Sequence, residues 1–281
     1  MAASWRRYVP LLPHPDKPKT VAVVRIAGTI GGGGRLRAGL RLAQIEPVLK
    51  RAFGMRSAAA VALEINSPGG TPVQAGLIYN RIRQLAAEKQ RKVYAFAEDV
   101  AASGGYLIAL AADEIFVHDA SIVGSIGVIS GGFGFDQAIA KLGIDRRLYA
   151  TGDRKAMLDP FSPEKPEDVA RLRELQTEIQ NYFKALVEDR RGARLQAGGG
   201  DLFNGDVWVG RQAIDVGLAD GVGDIASVLR AKFGDDVRLR RVAPAKRMLW
   251  GGVPSFAERA DLAGNAIAGF EEHAAWRRFG L

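Results

Sequence analysis

The chain has no cysteine, three histidines and no long apolar run. Without cysteine there is no disulfide framework, no thiol nucleophile and no thiolate-bound metal. Neither a metal nor a cofactor is expected. The least polar stretch, Val100–Ala112, is closed off by Asp99 and Asp113. It is too short for the roughly 20 apolar residues that cross a bilayer. Residues 1–20 carry four prolines and Trp5-Arg6-Arg7-Tyr8 instead of the apolar core of a signal peptide. The expected location is the cytoplasm, with at most peripheral membrane contact. Aromatic residues make up only 8% of the chain, and neither zinc-finger spacing nor an RNA-binding aromatic motif is present. The net charge of +8 comes from Lys and Arg scattered over helical stretches, so no nucleic-acid partner is expected.

What is present is ample apolar material: 47% of 281 residues, enough for one large domain or two small ones. Short β-branched or apolar runs at Val21–Ile26, Ala59–Ile65, Val93–Ala97 and Glu114–Val117 read as strands. Helical periodicity fills Leu40–Phe53 and Val73–Lys89, and small residues fill Ser103–Ala112. This alternation predicts an α/β fold with parallel pairing. Further along, the sequence predicts strands at Ser125–Ile129, Arg147–Tyr149 and Val237–Val242. Helices are expected at Gln137–Leu142, Glu167–Arg191, Gly210–Val216 and Ile225–Phe233. Thr151–Pro166 and Ala197–Gly200 read as loops, and so does Gly31–Gly34, which lacks the Lys-Ser or Lys-Thr of a phosphate-binding loop. Beyond Pro254, residues Phe256, Ala263, Ile267, Phe270 and Ala274 fall on one face of a C-terminal amphipathic helix. The expected organisation is a Pro-rich arm (1–20), a main domain (21–242) and a helical extension (243–281).

Two glycine-rich turns follow strands: Asn66-Ser67-Pro68-Gly69-Gly70 and Ala101-Ala102-Ser103-Gly104-Gly105-Tyr106. Each opens a helix, where backbone N–H groups lack intrahelical acceptors. Two such sets facing one point make an oxyanion hole, with Ser103 beside it. A Ser nucleophile needs a base. Of the histidines, His14 lies in the Pro-rich arm and His273 in the C-terminal helix, which leaves His118 at a strand end. Lys serves as base in Ser-Lys enzymes, and Lys155 stands in Thr151-Gly152-Asp153-Arg154-Lys155-Ala156.

In order along the chain, several of these segments resemble signal peptide peptidase A (protease IV), the family of Ser-Lys serine peptidases. They are Val21–Ile30, Leu63–Gly70, Ala101–Tyr106, Gly124-Ser125-Ile126-Gly127-Val128-Ile129, Gly152–Lys155 with Pro160-Phe161, and Gly205–Gly223 with Gly217-Leu218-Ala219-Asp220. The likeness runs from about Val21 to Val228. It implies the crotonase-like (Clp protease-like) fold of repeated strand-strand-helix turns, here with a C-terminal helical extension. It also implies Ser103 as nucleophile and Lys155 as general base of an endopeptidase. Gly69, Gly70, Gly104 and Ser125 would form the oxyanion and substrate-binding set. Expected substrates are hydrophobic peptides such as remnant signal peptides or unfolded segments, and the expected assembly is a homo-oligomer. Where the family often has Asp after the base, this chain has Ala156, and Leu107 replaces a second aromatic after the glycines. Three other readings stay open: an acyl-CoA enzyme of the same fold, a non-catalytic scaffold, and a protease using His118.

Overall fold

The computed structural model describes residues 18–32, 39–195, 201–243 and 262–281. Most of the Pro-rich arm, Gly33–Gly34 and the Ala197–Gly200 loop lie outside the described residues, as does residue 256 of the amphipathic pattern. In chain order the elements are β1 (Thr20–Ala27), α1 (Leu42–Gly54), β2 (Ala58–Ser67), α2 (Pro72–Lys89), β3 (Lys92–Ala102), α3 (Gly104–Ala109), β4 (Glu114–Val117) and β5 (Ile122–Gly124). There follow α4 (Asp136–Lys141), α5 (Pro166–Arg191), β6 (Val207–Val209), α6 (Arg211–Asp215), β7 (Gly221–Val222), α7 (Ile225–Phe233), β8 (Arg238–Arg241) and α8 (Leu262–Arg277).

The strands form one sheet in the order β6-β5-β3-β2-β1-β8, with β4 bridging β3 and β7. Every pairing is parallel except β5 with β6. Strand β3 changes partner along its length: Tyr94–Phe96 pairs with β4, and Val100–Ala102 with β5. The sheet is covered on both faces, so its strands read as apolar runs without alternation. On one face Ala22, Val24, Ile26, Val61, Leu63 and Ile65 join the main core with α1, α2 and α3. On the other, Val21, Val23, Ala60, Ala62, Tyr94 and Phe96 pack with Leu229 of α7.

Two predicted strands are absent. Strand β5 lies upstream of Ser125–Ile129, because Ser125 leaves the extended region at φ 52°. Arg147–Tyr149 has no strand partner and is exposed, with Tyr149 at 91%. Of the predicted apolar face of the C-terminal helix, the side chains of residues 263 and 267 also lie outside the described ones. Phe270 and Ala274 are exposed, whereas Glu272, Ala275, Trp276 and Phe279 form the half-buried stripe.

Glu64 breaks the apolar pattern of β2. It is 4% exposed, and its Oε1 accepts from Arg241 Nη2 at 2.8 Å. Its Oε2 is buried with no partner among the described residues. Burial holds the Glu64 carboxyl above its ordinary range despite the opposing pull of Arg241. The folded state therefore keeps this proton to higher pH than the unfolded chain does. Its contribution to stability falls as pH rises from the ordinary carboxylate range through the raised folded value. Glu64→Met removes the orphaned oxygen while its exposed partner Arg241 remains hydrated. We expect a gain of about 1 kcal/mol at pH 7. Urea unfolding of the two proteins at pH 5 and pH 7 checks this; a variant less stable than wild type at pH 7 contradicts it.

Candidate active site

The site is built where β2 and β3 end side by side. Their register brings Ser67 opposite Ala101, so the turn Pro68-Gly69-Gly70 meets the turn at Ser103. Ser103 has φ 50° and ψ −121°, a conformation that L-residues rarely adopt. Strain of this kind persists only where the surroundings over-determine it. Here the Ser103 N–H donates to the Gly124 carbonyl at 2.8 Å, and the Ser103 carbonyl accepts from Leu107 N–H at 2.9 Å. Helix α3 is in turn fixed from below. Tyr106 is fully buried and its hydroxyl donates to the Leu218 carbonyl at 2.8 Å. Burial pushes the phenol's titration upward, so it stays a neutral donor. The buried Arg191 guanidinium clamps the same corner, donating to the Gly217 carbonyl and to Asp220, each at 2.7 Å.

The glycines are required by close approach. A Cβ on Gly69 would lie 2.8 Å from Ser103 Cβ and 3.0 Å from the Gly104 nitrogen. A Cβ on Gly104 would lie 3.4 Å from the Gly70 nitrogen. The Gly104 N–H opens α3 and has no intrahelical acceptor. The Gly70 N–H has no acceptor among the described residues, because the bridge to β1's extension uses Ile30 N–H to Gly69 O and Thr71 N–H to Ile30 O, both 2.8 Å. These two N–H groups, without acceptors among the described residues, lie where the Gly69-Gly70 and Ser103-Gly104 turns meet. Ser125 lies one residue past the Ala102–Gly124 pair, beside Ser103, and it too has positive φ (52°). It is buried, and its N–H is held by the Asp206 carbonyl at 2.6 Å.

Ser103, Gly69, Gly70 and Gly104 line a cavity of about 420 Å³ whose walls include Ile30, Leu107, Val128, Ile129, Ile179 and Phe183. Lys155 is not among its lining residues. It is exposed, in a turn closed by its own N–H to the Gly152 carbonyl at 3.1 Å. His118 also stands apart. Its Nδ1 accepts from Ala120 N–H at 3.2 Å, and it lines a different cavity with Glu64 and Asp224. The walls from α5 and α8 escaped sequence reasoning, since a single periodic helix does not reveal which cavity it closes.

Lys155 belongs to a segment, residues 129–161, that exposes much apolar surface. Ile129, Phe133 and Leu142 are each more than 70% exposed. Phe133, Phe135 and Phe161 form a row with centroid separations of 6.1 and 5.7 Å. The Phe135 N–H to Pro160 carbonyl bond (2.6 Å) and the Arg146–Asp159 pair (3.4 Å) tie the segment to itself. Arg146 also draws the Asp159 carboxyl below its ordinary range.

The sequence profile of Peptidase family S49 matches residues 86–236. The chain is 32% identical over 216 residues to Protease 4 of Haemophilus influenzae, covering 75% of this chain and 34% of that protein. It is 48% identical over 272 residues to a Brucella melitensis biotype 1 protein named Na(+)/H(+) antiporter NhaA, covering 93% of this chain and 37% of that protein. A match of that extent includes residues 86–236, so the shared segment contains the peptidase region. The chain therefore spans about a third of each of these relatives. No helix among the described residues is long and apolar enough to cross a membrane. Among solved structures, the 1510-N membrane-bound stomatin-specific protease K138A mutant in complex with a substrate peptide superposes with a TM-score of 0.52. That match has 18% identity and covers 90% of this chain and 99% of the other. The fold is the α/β Clp protease-like one, and the chain belongs to Peptidase family S49, the family of signal peptide peptidase A.

Proposed function

We propose that the protein is a serine endopeptidase of hydrophobic peptides, with Ser103 as nucleophile and Lys155 of a neighbouring copy of the chain as general base. The observation that carries this reading is Ser103 itself, held at φ 50° at an apolar cavity between two unpartnered N–H groups. In the proposed reaction Ser103 Oγ attacks the scissile carbonyl, and neutral Lys155 takes its proton. The Gly104 N–H, with that of Gly70, stabilises the oxyanion, because the Gly69 N–H donates to Ser67 Oγ at 3.2 Å. Lys155 then protonates the leaving amine, and water releases the acyl group. Ser125, beside Ser103, contributes to the wall that receives substrate or base.

Supply of the base in trans is supported by two features. Lys155 is exposed outside the Ser103 cavity, and the segment bearing it presents unburied Ile129, Phe133 and Leu142. A surface of that kind calls for a partner. A second copy covering it would seal the segment and bring Lys155 to Ser103 together. Mixing Ser103→Ala protein with Lys155→Ala protein tests this. Each alone is expected to be inactive, and the mixture to recover up to about a quarter of wild-type hydrolysis, the share expected of randomly mixed neighbours that pair two intact halves. No recovery after demonstrated subunit exchange would confine the dyad to one chain.

Remnant signal peptides and unfolded membrane-protein segments fit the apolar lining as substrates. The same exposed aliphatic and aromatic side chains are suited to peripheral contact with a lipid surface.

A further inference from the structure

Helix α8 and the turn that follows it form one wall of the Ser103 cavity, through Glu272 and Ala275 of the helix and Arg278 just past its end. These three follow at i, i+3 and i+6 and so share a face of the helix. The helix is seated by its half-buried residues Trp276 and Phe279, and the Arg278 guanidinium lies 5.8 Å from the Phe279 ring centroid. Among the described lining residues the rest are apolar or neutral, so Glu272 and Arg278 are the charged ones described there. Neither makes an ion pair with another described residue. An apolar cleft thus carries one carboxylate and one guanidinium, neither paired with another described residue.

Six helical residues at 1.5 Å each separate the two groups by about 9 Å along the axis. An extended peptide advances about 3.3 Å per residue, so the same distance covers about three residues of a bound strand. From this geometry we infer that α8 is the specificity wall of the cleft. Glu272 and Arg278 select a hydrophobic peptide segment that carries a basic side chain and, about three residues away, an acidic one. The inference rests on the reading of the Ser103 cavity as the substrate cleft. The two groups also fix polarity: of the sequences Lys-x-x-Glu and Glu-x-x-Lys, only one sets each charge against its complement for a peptide bound in a single direction. The other order sets like charges together, which weakens binding.

The test uses the full chain and three fluorogenic peptides with one apolar core: neutral, Lys-x-x-Glu and Glu-x-x-Lys. Wild type is expected to favour one charged order over the other by about fivefold in kcat/KM, the upper end for an exposed charge pair. The double variant Glu272→Lys/Arg278→Glu is expected to invert that order. Equal cleavage of both orders by wild type, or a double variant whose preference is unchanged, overturns the inference. A double variant faster on all three peptides alike also overturns it, because α8 would then merely obstruct the cleft. The neutral peptide separates this from the underlying reading. If wild type fails to cleave it, the peptidase assignment fails. Fluorescence anisotropy of the same labelled peptides on the Ser103→Ala chain then decides the selectivity by binding alone, with the same inversion expected.

Discussion

Ser103→Gly is expected to yield a protein that is inactive yet more stable than wild type by about 1 kcal/mol. The hydroxyl is the proposed nucleophile, so its loss removes about 10⁴-fold or more of kcat/KM. The stability gain comes from the backbone. Ser103 sits at φ 50°, ψ −121°, where a Cβ is sterically penalised by an amount on the order of 1–3 kcal/mol. Glycine adopts that conformation without penalty and gives back part of the gain through its looser unfolded state. Ser103→Ala separates the two effects, since it keeps Cβ and its strain; it should be inactive with wild-type stability. Thermal unfolding of the three proteins, beside peptide hydrolysis, reads both predictions. If Ser103→Gly is less stable than Ser103→Ala, the strain is not stored at this residue.

Gly70→Ala is expected to be severely destabilising, by about 3 kcal/mol or more, and to abolish activity in whatever folds. A Cβ there would overlap the Ile30 carbonyl, the acceptor that secures the turn, and φ is 144°. The colliding atoms are backbone and cannot rotate away. Gly104→Ala is the contrasting case. Its Cβ would meet Ala75 Cβ at 3.3 Å and Ile30 Cδ1 at 3.4 Å, side-chain atoms that yield by tenths of an ångström. That variant should fold, with a cost of about 1 kcal/mol or less, and its catalytic loss would come from crowding between the two N–H donors. A soluble, fully stable Gly70→Ala protein would mean that the turn does not pack against Ile30 as described.

The fold was legible where burial and periodicity agree. Strands β1 to β4 are apolar because both faces of the sheet are covered, and their runs stand out without knowledge of partners. The predicted strand at Ser125–Ile129 failed by a shift of a few residues. Its Val128 and Ile129 line the cavity after the backbone has already turned at Ser125. Arg147–Tyr149 has strand composition but nothing to pair with. Helix α5 has regular apolar spacing along its whole length, yet among its residues only Phe183, Val187 and Arg191 are buried. At the site, the Ser-Gly-Gly and Pro-Gly-Gly turns declared a close backbone approach in advance. The positive φ of Ser103 and the charged wall on α8 did not show, because each depends on contacts between distant parts of the chain. Nor does sequence indicate how far Lys155 stands from Ser103, because the two lie in separate segments of the chain.

Hydrolysis of a hydrophobic fluorogenic peptide by the full chain, with Ser103→Ala, Lys155→Ala and His118→Ala measured beside wild type, tests the central claim most directly. The account predicts cleavage by wild type and by His118→Ala, and none by Ser103→Ala or Lys155→Ala. Activity that survives Lys155→Ala and disappears with His118→Ala would contradict the Ser-Lys assignment, and folded wild-type protein inactive on every such peptide would contradict the peptidase reading itself.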